Sequence, residues 1–268
     1  MELKTPLYEE HVKAGGKVVP FAGYLLPVQY PAGVIKEHMA VRTKAGLFDV
    51  SHMGEVLCTG PDAKANLQML LTNDYTKIKD GQAKYSPMCN EHGGTVDDLI
   101  VYRKSEEEYL IVVNAANKEK DYQWMLDHQF GNVTFTDVSE QYAQLALQGP
   151  KALDILRKLT KEEWIPQKYY HAVFDAEVAG IPCIVSKTGV HRRGRCGTVS
   201  GVRICGADVE RPSGSWKGRR PHSMRAGSER YPPDGSGDAI VRTRDERGNQ
   251  PSGSGTYLCG ETGKRGLH

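Results

Sequence analysis

Two adjacent aspartates in the segment Tyr85–Leu99 are the residues best placed to do chemistry. Gly93 and Gly94 predict a tight turn between two strands, and Asp97 and Asp98 then begin an apolar run. Because adjacent side chains of an extended segment point to opposite faces, one carboxylate should face inward and the other solvent. A carboxylate directed into a pocket would accept hydrogen bonds from N–H groups of an amine or a heterocycle. From spacing alone, aspartates that only cap the turn are the commoner case.

Other polar residues give weaker signals. Asn114 ends the apolar run YLIVVN, where its amide could either bind a ligand or cap a turn. Ser51 and His52 closely follow Asp49, but neighbours in sequence rarely form a nucleophilic triad. The six cysteines are scattered without a C-x-x-C pair, which predicts free thiols and neither a zinc site nor a disulfide framework. We therefore predict no metal site.

Local patterns predict the elements that must position these residues. Helices are predicted after a cap at Thr5, between Gly33 and Lys44, between Asn117 and His128, and from Pro150 onward. Strands are predicted at Lys17–Phe21, Gly54–Cys58, Leu99–Arg103 and Tyr109–Val113. Such short alternating strands and helices are typical of an α+β or α/β domain.

Composition narrows the class of protein. The chain has 268 residues, a formal net charge of +2 and 39% hydrophobic residues, which is typical of a globular protein. No apolar run is long enough for a membrane span, and the N-terminus lacks the layout of a secretory signal. We therefore expect a cytoplasmic protein that binds neither membranes nor nucleic acids.

The chain changes character at Gly189. Before this residue arginine occurs only at Arg42, Arg103 and Arg157, whereas after it arginine is abundant and lysine occurs only at Lys217 and Lys264. The last part is crowded with Gly, Ser and Pro and has no helical or strand period. Such a segment cannot build a core. We predict one domain over residues 1–189 and a disordered tail over residues 190–268.

Several strings before the change resemble, in order and spacing, the aminomethyltransferases (T-proteins) of the glycine cleavage system. They are TPLYEEHVKAGGKVVPFAGYLLPVQY, GLFDVSHMGEV, YSPMCNEHGGTVDDLIVY, VVNAANKEKDYQWM and LALQGPKA. The resemblance implies an α+β folate-binding domain. It also implies transfer of a methylene carbon from an aminomethyl group on the lipoyl arm of H-protein to tetrahydrofolate, with release of ammonia. Lipoylated H-protein and folate are then the expected partners.

The resemblance also implies roles for four residues. Asp98 corresponds to the catalytic aspartate of the family, while Met53, Tyr85 and Asn114 correspond to residues of its folate pocket. Positioning of the reacting amine can supply much of the acceleration, and one carboxylate can orient it or stabilise developing positive charge. A folate-binding module without transfer, as in demethylating oxidases or in iron–sulfur or RNA-modification maintenance proteins, is the alternative.

The resemblance stops after Gly189, where the family continues Tyr-Thr-Gly-Glu-Asp-Gly. Codons compatible with the residues found here, Val190 to Arg195, encode that motif when read one base later. The sequence therefore predicts a single extra base near Gly189 and an out-of-frame tail. The Glu of this motif and a later Arg, both folate contacts in the family, would then be missing, so we expect the chain itself to have little activity.

Overall fold

A computed structural model describes residues 2–188 and the backbone of residues 201–207 and 239–240. The first sheet contains β1 (Leu3–Lys4), β2 (Val18–Phe21) and β3 (Tyr24–Pro27) in the order β1-β3-β2. The central sheet is antiparallel and contains β5 (Gly54–Thr59), β6 (Ala83–Cys89), β7 (Thr95–Arg103), β8 (Glu108–Val113) and β9 (Thr134–Asp137) in the order β6-β7-β8-β5-β9.

The third sheet has the order β11-β12-β13-β10-β4-β14. Its strands are β4 (Gly46–Asp49), β10 (Tyr142–Gln148), β11 (His171–Val178), β12 (Ile181–Lys187), β13 (Gly201–Ala207) and β14 (Ala239–Ile240). The α-helices are α1 (Tyr8–Lys13), α2 (Val34–Thr43), α3 (Ala63–Leu70), α4 (Lys118–Asp127) and α5 (Ala152–Leu156). Short 3₁₀ helices cover Ser139–Gln141 and Glu162–Trp164. The predicted α+β class is confirmed.

Alternation along the strands divides the central sheet into two faces. On one face, Leu99 and Val101 of β7 belong to a buried cluster with Leu67 of α3 and Met125 of α4. We call this the helix face. On the other face, Tyr102 belongs to a cluster that includes residues of β11 and β12, so the third sheet packs there. We call this the sheet face.

The hairpin between β6 and β7 depends on its turn residues. Gly93 has a φ of +78°, a conformation that side chains rarely adopt. The side-chain Oδ1 of Asn90 accepts hydrogen bonds from the backbone N–H groups of His92 and Gly94. Pro87 lies within β6, which is tolerated because β6 is an edge strand and needs no donor on its outer side.

Close approach of α4 to the central sheet requires a glycine. A Cβ atom at Gly54 would lie 2.5 Å from Cγ of Lys118 and 2.7 Å from Cγ2 of Val113. Because Gly54 has no side chain, the first turn of α4 can cross β5 at this distance.

A buried polar network joins the N-terminal segment to the third sheet. The Nε2 of His11 lies 2.8 Å from Oδ2 of Asp49, and the hydroxyl of Thr5 donates to the same oxygen at 2.7 Å. Burial raises the pKa of Asp49, but hydrogen bonds from His11, Ser51 and Thr5 outweigh burial and hold it below its ordinary value. The prediction that Thr5 caps α1 is wrong, because its hydroxyl binds Asp49 and Leu7 occupies the cap position.

The predicted helices and strands of residues 2–188 are otherwise found close to their expected positions. Cys58, Cys89 and Cys183 are free thiols, as predicted. Among the described residues, no helix combines the length and the apolar character needed to cross a bilayer. The boundary at Gly189 and most of the predicted tail lie outside the described residues. The described part of the tail comprises β13, which pairs with β10 and β12, and β14, which pairs with β4.

Candidate functional site

Three of the predicted site residues meet at one end of the sheet face. The register pairs Ile100 of β7 with Val112 of β8, so antiparallel pairing continued by two residues places Asp98 beside Asn114. Met53 directly precedes β5 and packs against the same cluster as Ile100. The structure therefore brings together Asp98, Asn114 and Met53, which the sequence separates by up to about 60 residues.

Asn114 is the residue that fixes this end of the sheet. Its Nδ2 donates to Oδ1 of Asp98 at 3.3 Å and to the backbone oxygen of Asp98 at 3.0 Å. The same Nδ2 lies 3.1 Å from Oδ1 of Asp97. One amide thus contacts both aspartates, and its role is more specific than the turn cap that spacing alone allowed.

The Asp98 carboxyl is half-buried at the mouth of the sheet face. Burial raises its pKa above the ordinary value for aspartate, and the hydrogen bond from Asn114 offsets only part of that effect. A carboxylate that is partly desolvated binds a donor more strongly than one in bulk water. Asp98 can therefore orient an amine N–H or stabilise a nearby positive charge.

Tyr85 lies on the same face of the neighbouring strand, diagonally across from Asp98. Tyr85 of β6 is directly opposite Ile100 of β7, and directly opposed residues share a face. The residue is exposed, with 41% of its surface accessible. The backbone oxygen of Tyr85 accepts a hydrogen bond of 2.6 Å from Nδ2 of Asn73, which fixes the edge strand. An aromatic surface and a carboxylate are thus offered to the same space.

The opposite end of the sheet face packs against the third sheet. Tyr102 is only 3% exposed, and its hydroxyl lies 3.2 Å from Oγ1 of Thr188 and 3.4 Å from Oγ of Ser186. The two sheets therefore meet at the Tyr102 end, whereas Asp98 and Tyr85 remain accessible. A cavity of about 200 Å³ also opens on this face, lined by residues that include Leu57, Leu110 and Ile184.

The two aspartates face opposite ways, as alternation predicts. Asp97 is 8% exposed and shares the helix face with Leu99, whereas Asp98 lies on the sheet face. Asn90 caps the preceding turn. The structure therefore does not support the alternative in which the aspartates only cap this turn.

Sequence reasoning missed a further acidic residue, Asp121 of α4. Its side chain is fully buried, and burial, together with a hydrogen bond and the charge of Asp97, raises its pKa to about 8. Asp121 precedes the buried Met125 by four residues, so both lie on the inner face of α4. A carboxylate at an inward helical position was the signal available in the sequence.

Asp49, Ser51 and His52 do not form a triad. Asp49 binds His11, and the Ser51 hydroxyl lies 2.9 Å from the backbone N of Gln144 and accepts its hydrogen bond. His52 is buried with its ring 6.2 Å from that of Tyr24. Within residues 2–188, no group of three or more His, Cys, Asp and Glu side chains is arranged to hold a metal ion.

Comparison with known proteins identifies the family to which the chain belongs. Residues 7–190 match the family model described as the GCVT N-terminal domain. The chain is 56% identical over 187 residues to an aminomethyltransferase of Listeria welshimeri, covering 70% of this chain and 51% of that protein. It is 54% identical over 186 residues to an aminomethyltransferase of Halalkalibacterium halodurans, covering 69% of this chain and 51% of that protein.

The chain is also similar to a solved structure of an aminomethyltransferase. The crystal structure of glycine cleavage system aminomethyltransferase T from Bartonella henselae superposes with a TM-score of 0.67 at 33% identity. The match covers 77% of this chain and 54% of that chain. The chain thus spans about half the length of the relatives that it matches.

Proposed function

This chain belongs to the family of the GCVT N-terminal domain, and we propose that its Asp98 site binds tetrahydrofolate for aminomethyl transfer. The single observation that carries the proposal is the accessible, partly desolvated Asp98 carboxyl, which Asn114 holds at the open end of the sheet face. Relatives at 54–56% identity that are named aminomethyltransferase support the same reaction class.

The residues present suit a reduced pterin. A pterin is flat and carries several N–H groups, so it needs an acceptor at its edge and apolar or aromatic contact on its faces. Asp98 offers the acceptor, the ring of Tyr85 offers aromatic surface, and Met53 offers a polarizable apolar side chain. Asn114 keeps the acceptor in place.

The proposed chemistry needs little acid–base machinery from this region. When bound, tetrahydrofolate would supply two amine nitrogens, which would replace the nitrogen that leaves as ammonia and the sulfur that leaves as the lipoyl thiol on the methylene carbon. Asp98 orients the amine N–H and offsets the positive charge that develops on nitrogen. Met53 and Tyr85 hold the ring against the sheet, so the amine is already positioned when the carbon arrives.

Lipoylated H-protein is the proposed donor, and a cytoplasmic location remains the prediction from sequence. The frame-restored chain is the appropriate enzyme, because the motifs that the family places after Gly189 are absent from residues 190–268. We propose that the 268-residue chain retains the Asp98 part of the folate site and lacks the contacts encoded after it.

The test has two arms. Calorimetric titration with tetrahydrofolate under anaerobic conditions is expected to show binding to the 268-residue chain and tighter binding to the frame-restored chain. Ammonia release from aminomethyl-loaded H-protein is then measured with the frame-restored chain. Ammonia release supports the transferase, whereas folate binding without ammonia release favours the binding module. Absence of folate binding by both chains would contradict the proposal.

A further inference from the structure

The turn that carries Met53 toward the candidate site is held by contacts on two sides. Residues 50–53 join β4 to β5, and we call them the Met53 turn. The backbone N–H of Met53 donates to the backbone oxygen of Val50 at 3.1 Å. The Met53 side chain packs against the cluster on the sheet face. The backbone of this turn therefore decides where the Met53 side chain begins.

Ser51 ties the Met53 turn to β10 of the third sheet. Its hydroxyl oxygen accepts the backbone N–H of Gln144 at 2.9 Å and donates to the backbone oxygen of the same residue at 3.3 Å. The backbone N–H of Val50 donates to that oxygen at 2.9 Å. Ser51 is buried, so loss of its hydroxyl would remove the acceptor of a buried N–H, which is costly.

A buried network from the N-terminal segment holds the same turn. Asp49, the last residue of β4, accepts the backbone N–H of Ser51 through Oδ1 at 2.9 Å. Its Oδ2 accepts the hydroxyl of Thr5 at 2.7 Å and lies 2.8 Å from Nε2 of His11. Nδ1 of His11 lies 2.8 Å from the hydroxyl of Tyr30. A continuous line of buried hydrogen bonds therefore joins Thr5 and His11 to Ser51.

His52 gives the N-terminal segment a second contact with the turn. Its buried ring lies 6.4 Å from the ring of Phe21 in β2 and 6.2 Å from the ring of Tyr24 in β3. Both pairs meet edge to face, an arrangement that aromatic rings favour. The two residues directly before Met53 are thus both fixed by contacts outside the turn.

A fixed turn matters because a methionine side chain is flexible. It has three rotatable bonds and no strong hydrogen-bonding group, so ordering it on binding costs conformational entropy, and a preorganised contact reduces this cost. We propose that Ser51 and the network of Asp49, His11 and Thr5 are positioning residues, which hold Met53 in place at the candidate site. This inference rests on the proposed function only for its consequence in folate binding.

The methyl resonance of Met53 tests the proposal without any ligand. In the 268-residue chain with ¹³C-methyl-labelled methionine, M53A identifies this resonance by its loss. S51A should shift and broaden the Met53 resonance, while that of Met125, buried on the helix face, stays in place. T5V nearly keeps the size of the side chain but removes one donor to Asp49, so it should change the Met53 resonance in the same way but less.

The matched control is S186A. Ser186 is also a buried serine, but its hydroxyl lies 3.4 Å from that of Tyr102 at the opposite end of the sheet face. Its loss should leave the Met53 resonance unchanged. An unchanged Met53 resonance in S51A would overturn the proposal, and so would equal changes at Met53 and Met125, because these indicate a general loosening of the fold. If S51A does not fold, T5V decides by the same two criteria.

Tetrahydrofolate affinity gives the second readout, measured by calorimetry. S51A should lower the affinity about three- to tenfold, within the range expected for coupled neighbours, whereas S186A should bind as the wild-type chain does. In the M53A background S51A should cause no further loss, because its effect passes through Met53. An equal loss in both backgrounds would overturn the proposal. If the wild-type chain binds no folate, the proposed function fails, while the methyl spectra still decide the positioning role.

Discussion

Asp97 and Asp98 are identical in chemistry and adjacent in sequence, yet they lie in opposite environments. Asp97 is buried on the face that packs against α4, whereas Asp98 is half-buried on the face toward the third sheet and accepts a hydrogen bond from Asn114. One residue of strand alternation produces this difference. The pair shows how alternation along one strand can bury one carboxylate and leave the next one accessible.

The largest effect should follow from removing the charge of Asp98. The variant D98N keeps the size of the side chain but loses the carboxylate that would accept the pterin N–H groups. We expect tetrahydrofolate affinity to fall about 10- to 100-fold, the loss typical of one charge-assisted hydrogen bond. Calorimetry measures the affinity, and circular dichroism checks that the fold is retained. Unchanged affinity would show that Asp98 does not contact the ligand.

Substitution of Asp121, on the helix face, should change the free energy of unfolding rather than act directly on ligand binding. Unfolded Asp121 releases its proton near pH 4, whereas in the folded chain it keeps the proton up to a pKa of about 8. Because the folded chain binds more protons over this interval, the free energy of unfolding should fall as pH rises from about 4 to 8. D121N removes this group, so it should gain on the order of 1 to 3 kcal/mol over wild type between pH 5 and pH 8.

Urea unfolding of both chains at the two pH values measures this difference. D127N serves as the control, because its carboxylate is exposed and should leave the pH dependence unchanged. A wild-type chain whose stability relative to D121N is the same at pH 5 and pH 8 would show that Asp121 is ionised in the folded protein.

Substitution of Asn114, which contacts an aspartate on each face of the sheet, should cause a smaller loss of tetrahydrofolate affinity. N114A removes the donor to both aspartates, so the pKa of Asp98 should rise further above its ordinary value and its carboxylate should be less ordered. We expect a loss of about 1 to 2 kcal/mol in tetrahydrofolate binding. Carboxyl NMR tests the Asp98 pKa and calorimetry tests the affinity. An unchanged Asp98 pKa would show that Asn114 does not hold the Asp98 carboxylate.

Substitution of Tyr85 should cause the smallest loss of tetrahydrofolate affinity. Y85F keeps the aromatic ring and should bind tetrahydrofolate within about twofold of wild type, whereas Y85A should lose about 1 kcal/mol. The backbone oxygen of residue 85 still accepts the hydrogen bond from Asn73 in both variants, so the edge strand should be retained. Equal affinity of Y85A and wild type would place the ring outside the site.

The sequence was informative where a local rule decides the outcome. Alternation separated Asp97 from Asp98, the Gly93-Gly94 pair marked the hairpin, and Asn114 was expected to end its strand. The role of Thr5 was mistaken because its hydroxyl is used by Asp49, a residue 44 positions away. Asp121 was missed because its burial and the charge of Asp97, which together raise its pKa, depend on how α4 packs against the sheet.

The altered reading frame remains a prediction from sequence. Resequencing the gene across the codons for Thr188 to Arg195 is expected to show one base fewer than this chain implies, or else to confirm a chain that continues in the altered frame. The first result would restore the family motif after Gly189. Codons that encode the present residues and no family motif in any frame would contradict the prediction.

The most direct test of the account follows the carboxyl carbons of the aspartates while tetrahydrofolate is added. On saturation the Asp98 resonance should shift, the Asp97 resonance should shift less, and the exposed Asp127 and Asp175 resonances should stay in place. Saturable binding that leaves the Asp98 resonance unchanged would contradict the claim that this carboxylate forms the folate site.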